Sequence, residues 1–404
     1  MVQTKYRVYE YRWVVLAVYM YVAALTQLYW LNFASITTYM EDRFNIPAGD
    51  VMWLSLVFAL VQVPLTLPAG ILIDKKGFRY GFCLGAIITG IFPLLRLIYP
   101  GSYAMLLVSQ ICISIGQPFV LNCLTKLAVT WFSPREEATA VGLGSLAVFA
   151  GMMLGLGATP WLVQFLGFEA MLLIYGILGI IGGLLPLIFV RSGPPTPARS
   201  AEIRDEISSW NALKEILRIK DFVILGFIAF MGIGVFCALI SWLEKILHDL
   251  HRIPMVDAGS ISAVLMLGSM IGCIAVPVVS DKIGKRKILL VLTTAASMIC
   301  MCILIFADSY EVNMVNGILL GFCMISARPI MYTMSAEFTG PRYAGLSIGY
   351  LMLMGGGATL IITQIMECLS TATGDFVASL VLLVALLLIS LILSIWVKDA
   401  HPAA

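Results

Sequence analysis

Apolar residues run along the chain in twelve long blocks, each closed by a short cluster of polar, glycine or proline residues. The blocks cover 13–38, 50–73, 79–98, 103–131, 137–163, 168–190, 221–247, 256–280, 286–307, 311–337, 343–368 and 374–397. Each is close to the roughly 20 apolar residues that cross a bilayer core as a helix. The blocks are continuously apolar and lack the alternation of outer-membrane strands. Lipid also requires each backbone to satisfy its own hydrogen bonds. The pattern therefore predicts twelve transmembrane helices, with turns at breaks such as Asp42-Arg43-Phe44-Asn45 and Tyr99-Pro100-Gly101.

The longest polar break, Arg191 to Lys220, leaves six blocks on either side. It opens with Ser192-Gly193-Pro194-Pro195-Thr196-Pro197, which cannot be helical. Ile203, Ile207, Trp210, Leu213 and Leu217 then recur at helical spacing, with Glu202, Arg204, Asp205, Lys214 and Arg218 between them. This predicts an amphipathic helix over 201–219 lying along the membrane surface. The expected organisation is a six-helix bundle over 1–190, a cytoplasmic linker over 191–220 and a second six-helix bundle over 221–404.

Composition agrees with the blocks. Of 404 residues, 60% are apolar and 12% charged, against about 25% charged in soluble domains. Mean hydropathy is +0.98. A soluble enzyme, a nucleic-acid binder and a disordered chain are excluded on these grounds. The nine cysteines lie within apolar stretches without a C-x-x-C pair, so they read as packing residues rather than disulfides or metal ligands. The net charge of +2 gains meaning only once placed. Nineteen of the 25 Lys and Arg residues fall on one side if the amino terminus is cytoplasmic. Among them are Lys5, Arg7, Arg199, Arg204 and Arg342. Arg43, Arg96, Lys245 and Arg252 fall on the other side, and Lys126 and Arg328 lie inside spans. The bias predicts that both termini are cytoplasmic.

An internal repeat accompanies the symmetry. Asp74, Gly77 and Arg79 between spans two and three recur 207 residues later as Asp281, Gly284 and Arg286 between spans eight and nine. A second echo, Trp131-Phe132-Ser133-Pro134-Arg135, follows span four. Its counterpart, Glu337-Phe338-Thr339-Gly340-Pro341-Arg342, follows span ten. In the first motif glycine permits a tight turn, while the acid and arginine can pair at a cytoplasmic gate. Asp74, Arg79, Asp281 and Arg286 are the expected gating residues. Lys126 and Glu337, near the cytoplasmic ends of spans four and ten, can pair as an inner gate. Glu244, beside Lys245, is a candidate outer gate.

These motifs resemble those of the major facilitator superfamily over the whole chain. The resemblance implies an all-α membrane protein of twelve helices in two six-helix, pseudo-symmetric halves, working by alternating access. Six shorter stretches are similar to the feline leukaemia virus subgroup C receptor family, which includes choline and ethanolamine transporters and has been linked to haem. They are Arg12-Trp13-Val14-Val15, Trp30-Leu31-Asn32-Phe33, Trp53-Leu54-Ser55, Gly116-Gln117-Pro118-Phe119-Val120-Leu121, Trp131-Phe132 and Ser335-Ala336-Glu337-Phe338-Thr339. That resemblance implies an aromatic cage residue at Trp30 and a substrate-facing amide at Gln117. Cys237 stands where the family carries a cage tyrosine. Gly356 stands where it carries a second glutamine, and Arg328 at a position uncharged in the family.

Read from the residues themselves, Trp30 can attract a cation through its ring face, with Asn32 beside it. Gln117 and Asn122 flank the Pro118 break within span four and need polar partners. Either a cavity or an interhelix bond can supply them. Trp242 lies near the outer end of span seven. Arg328, in Gly321-Phe322-Cys323-Met324-Ile325-Ser326-Ala327-Arg328-Pro329, is the sharpest signal, because an intramembrane arginine marks function by default. It can clamp a carboxylate or phosphate. Gly151 and Gly155 in span five predict close helix packing. His248 and His251, three apart in an outer loop, lack the further ligands of a metal site.

The expected function is a secondary carrier for a small polar organic solute, a zwitterion or organic cation such as a betaine, choline-like compound or amino acid. Trp30, Asn32, Gln117, Asn122, Cys237, Trp242 and Arg328 are the expected solute-binding residues. Rival readings are an organic-anion carrier dominated by Arg328, a hydrophobic drug or haem exporter using adaptable methionines, and a transport-dead receptor. No catalytic constellation, cofactor or metal is expected. Span one carries no Asp, Glu, Lys, Arg or His between Trp13 and Tyr39, which points to facilitated diffusion. Glu244 and Glu337 keep protons as a candidate coupling ion. The expected partners are the solute and the lipid bilayer, without nucleic acid. The expected form is a monomer in the plasma (inner) membrane.

Overall fold

A computed structural model describes residues 9–133, 135–194, 210–340 and 343–399. Among them regular structure is helical throughout. Twelve helices are long and apolar enough to cross a membrane: Tyr11–Leu31, Ala48–Lys76, Phe78–Ile98, Tyr103–Trp131, Glu137–Leu166, Phe168–Phe189, Lys220–His251, Met255–Ile283, Arg286–Phe306, Tyr310–Thr339, Gly345–Thr373 and Val377–Trp396. They are spans one to twelve below. The chain divides into two compact units, Met1–Arg204 and Asp205–Ala404. Lys5, Arg7, Pro134, Arg199, Arg204, Pro341 and Arg342 lie outside the described residues. So do residues 201–209 of the expected amphipathic helix. Its later part is helical over Trp210–Ile216.

Each unit pairs its own helices in the same way. Span one packs on five, two on four and three on six in the first half. Span seven packs on eleven, eight on ten and nine on twelve in the second. Small residues bring the backbones together. A Cβ added at Gly151 would collide with the backbone of Ala24, so the expected glycine contact is between spans five and one. The motif glycines take the left-handed backbone that turns require, Gly77 at φ +86° and Gly284 at φ +69°. Toward the basic-rich end of the first half, Val15, Tyr19, Phe82, Val120, Trp131 and Phe132 form one apolar core.

Three of the expected spans are interrupted. The block over 13–38 is not one helix. The first helix ends at Leu31, a 3-10 turn covers Ala34–Ile36, and a short helix runs over Thr37–Phe44. Asn45 closes that helix in the left-handed region at φ 53°, a common place for asparagine. Span three contains a 3-10 turn at Phe92–Leu94, built on Pro93. Span four breaks at Asn122, four residues after Pro118, between helices Tyr103–Leu121 and Cys123–Trp131. Proline lacks the donor that would continue the ladder.

Candidate functional site

The motif between spans two and three does not form the pair its spacing suggests. Asp74 takes Lys126 of span four at 2.6 Å, and the same ammonium donates to the Ile73 carbonyl at 3.0 Å. Arg79 is exposed and lies beside the Cys83 thiol. In the second half the motif does pair internally. Arg286 donates to Asp281 at 3.1 Å and to Glu337 of span ten at 2.7 Å. Lys126 and Glu337, expected to meet as an inner gate, thus each take a partner within their own half. The Glu337 side chain is only 14% exposed, against 69% for Asp281.

In the first half, Trp30 sits at the last turn of its helix rather than midway along a span, and is half-buried. Asn32 caps that helix, is fully buried, and has no hydrogen-bond partner for either side-chain atom. Gln117 is 3% exposed and its Oε1 is also without a partner. Asn122 differs: its amide donates to the Thr66 carbonyl of span two at 3.0 Å. It therefore bonds between helices, one of the two roles open to it from sequence.

The same half holds a residue whose importance sequence reasoning missed. Arg96, expected at the outer surface, is 1% exposed. Its Nε donates to Ser109 at 3.0 Å and its Nη2 to Gln110 at 2.7 Å. Gln110 in turn donates to the Tyr29 carbonyl at 3.1 Å. The guanidinium lies over the faces of Tyr29 and Phe33, 5.3 and 5.1 Å from their centroids. The available signal was Pro93 three residues earlier, which turns the helix end, together with the polar pair Ser109-Gln110 in the next span.

In the second half Arg328 is half-buried and lines a cleft among spans seven, nine, ten and twelve. No carboxylate pairs with it among the described residues, and its Nε is buried without a partner. The buried Cys237 thiol lies beside it. Sequence reasoning missed the hydroxyls that share the cleft, Thr294, Ser297 and Ser390. Small hydroxyls within apolar helices carry no signal of their own, because they usually bond back to their own helix.

Trp242 is a packing residue in this geometry. It is 1% exposed, stacks on Phe376 with centroids 5.3 Å apart and donates to the Thr363 carbonyl at 3.4 Å. Glu244 is also 1% exposed, so it lies in the interior of its half rather than on a surface. Lys245 pairs with Asp249 one turn on, at 3.3 Å. The two histidines part company: His248 meets Asp249, while His251 meets Asp308 at 2.9 Å and the Leu304 carbonyl at 2.8 Å. Among the described residues no group of three His, Cys, Asp or Glu side chains could hold a metal.

Twelve apolar helices in two halves, built on the same three helix pairs, define an integral membrane protein of the carrier type. The chain belongs to the Major Facilitator Superfamily, whose family model matches residues 17–363. It is similar to an uncharacterized MFS-type transporter of Caenorhabditis elegans, 25% identical over 404 residues, covering 95% of this chain and 69% of the relative. It is 24% identical over 420 residues to the choline/ethanolamine transporter flvcr2b of Danio rerio, covering 97% and 85%. It is 27% identical over 375 residues to the choline/ethanolamine transporter FLVCR1 of Mus musculus, covering 84% and 66%. In fold it matches a bacterial homolog of the human lysosomal transporter Spinster with TM-score 0.78 and 17% identity, over 98% of this chain and 99% of the other.

Proposed function

We propose that the chain is a secondary carrier that moves a small polar organic solute, a zwitterion or organic cation, by alternating access. The observation that carries this reading is the pair of buried amides, Asn32 and Gln117, with unpartnered polar atoms in the half that bears Trp30. Unpaired buried amides are costly, and a polar solute offsets that cost. The relatives named as choline/ethanolamine transporters support an organic ammonium group in the solute. Arg328 supports an anionic group as well, which makes a zwitterion such as a betaine or amino acid the best fit.

The charge clusters Asp74–Lys126 and Asp281–Arg286–Glu337 tie helix ends together within each half, and Asp74, Arg79, Asp281 and Arg286 serve the gate from these fixed positions. They sit at the basic-rich helix ends, which supports a cytoplasmic location for them and for both termini.

Counterflow in proteoliposomes tests the proposal, with glycine betaine, choline and neutral amino acids as solutes. Exchange of at least one is expected, weakened in Trp30→Ala and Gln117→Ala. Absence of exchange for the whole panel overturns it. Arg328 favours a second reading, an organic-anion carrier, which predicts exchange of carboxylates that have no amine.

A further inference from the structure

The cleft beside Arg328 is formed entirely within the second half, and its polar atoms are of two kinds. The donors are the guanidinium of Arg328, with Nε free of any partner, and the hydroxyl of Ser390 on span twelve. Ser390 is 1% exposed and lines the cleft. The acceptors are Thr294 and Ser297 on span nine. Each hydroxyl proton is already committed to a carbonyl of its own helix, Thr294 to Leu290 at 2.7 Å and Ser297 to Thr293 at 2.8 Å. A hydroxyl has one proton to give, so these two offer the cleft lone pairs only. The remaining wall is apolar, with Phe236 and Met324 among its residues.

We propose that this cleft binds a 2-amino or 2-hydroxy carboxylate bearing a short apolar side chain. The carboxylate meets Arg328 and Ser390, and the adjacent N–H or O–H donates to Thr294 and Ser297. The inference rests on the carrier reading above and narrows its solute. A carboxylate matches the guanidinium fork and neutralises a cation that otherwise has no counter-charge. An ammonium or hydroxyl on the next carbon supplies the protons that Thr294 and Ser297 can accept. The side chain packs against Phe236 and the adaptable thioether of Met324. Choline fits poorly on each count. Its quaternary nitrogen has no proton for the two oxygens, it carries no carboxylate, and its charge is of the same sign as Arg328 in a medium of low dielectric.

Equilibrium binding to the full-length purified protein tests this with four probes: L-leucine, 4-methylpentanoate (leucine without its amine), 3-methylbutylamine (leucine without its carboxylate) and choline. Leucine is expected to bind, with 4-methylpentanoate about tenfold weaker and the two cations at least about 100-fold weaker. Arg328→Gln should bring leucine down to the level of the amine, and Arg328→Lys should restore part of the loss. The double variant Thr294→Val, Ser297→Ala should erase the advantage of leucine over 4-methylpentanoate and leave the latter's affinity unchanged.

Choline or 3-methylbutylamine binding as tightly as leucine overturns the carboxylate site. Equal affinity for leucine and 4-methylpentanoate overturns the acceptor role, and no binding of leucine overturns both. The wild-type comparison stands even if a variant fails to fold. Leucine counterflow insensitive to Arg328→Gln would sink the cleft site and leave the carrier reading intact. Leucine binding without exchange of any solute would do the reverse.

Discussion

Arg96 of span three and Arg328 of span ten, one in each half, are held in opposite ways. Arg96 is enclosed: two side chains accept from it, two aromatic rings cover it, and 1% of its surface is exposed. Arg328 lines a cleft, has an unpartnered Nε, and has neither an acid nor an amide bonded to it among the described residues. A charge inside a membrane protein marks function by default, yet that rule alone does not separate these two. Their hydrogen-bond partners do. Each keeps one unpartnered nitrogen, Nη1 of Arg96 and Nε of Arg328. Two other Arg96 nitrogens are bonded to side chains and its plane is covered by rings, which makes it part of the scaffold, whereas Arg328 lines a cleft and is available to a ligand.

Removing each arginine in turn should separate the roles most sharply. Arg96→Ala strands the buried amide oxygen of Gln110, takes one of two bonds from Ser109 and leaves a void, and should lower stability by about 3 kcal/mol. Arg328→Gln should change stability by less than about 1 kcal/mol, since it removes a charge with few internal bonds. Thermal unfolding of both variants measures the contrast, and equal losses would erase the distinction between scaffold and site.

The motif clusters give a second, smaller contrast between the halves. Arg286→Ala leaves Glu337 without its cation at 14% exposure, and should cost about 2 kcal/mol. Lys126→Ala breaks a pair whose side chains are 32% and 53% exposed, and should cost about 0.5 kcal/mol. Denaturant titration of the two variants reads the difference. A larger loss for Lys126→Ala would reverse which half carries the tighter cluster.

The smallest contrast lies within span four. Asn122→Ala removes a bond to Thr66 and should destabilise by about 1 kcal/mol. Gln117→Ala removes an amide oxygen that has no partner. It should leave thermal stability within about 0.5 kcal/mol of the parent while weakening solute exchange. If Gln117→Ala destabilises more than Asn122→Ala, Gln117 belongs to the packing and not to a solute site.

Much of this was legible in the sequence, for reasons that differ by residue. Arg328 stood out because the rest of span ten around it is free of charge and well away from either end. Arg96 did not, because it lies four residues before Pro100-Gly101 and reads as an interface charge. A 3-10 turn at Pro93 precedes it, and the Arg96 side chain is buried. The end of the first helix at Leu31 was hidden for another reason. Phe33, Ala34 and Ile36 are as apolar as the helix before them, so hydropathy continues where helical hydrogen bonding stops. The twofold repeat of Asp, Gly and Arg spacing told where charge clusters would form, but not their partners. Asp74 prefers the ammonium that span four brings to it, a contact set by packing rather than by position along the motif.

The turn at Gly77 has a mechanical consequence. One residue alone separates the helix ending at Lys76 from the helix beginning at Phe78. Successive Cα atoms are about 3.8 Å apart, so the connection has almost no slack. Any rotation of span two about its lower end must be passed to span three at once. The two spans behave as the arms of a stiff hairpin, with a hinge no wider than one glycine.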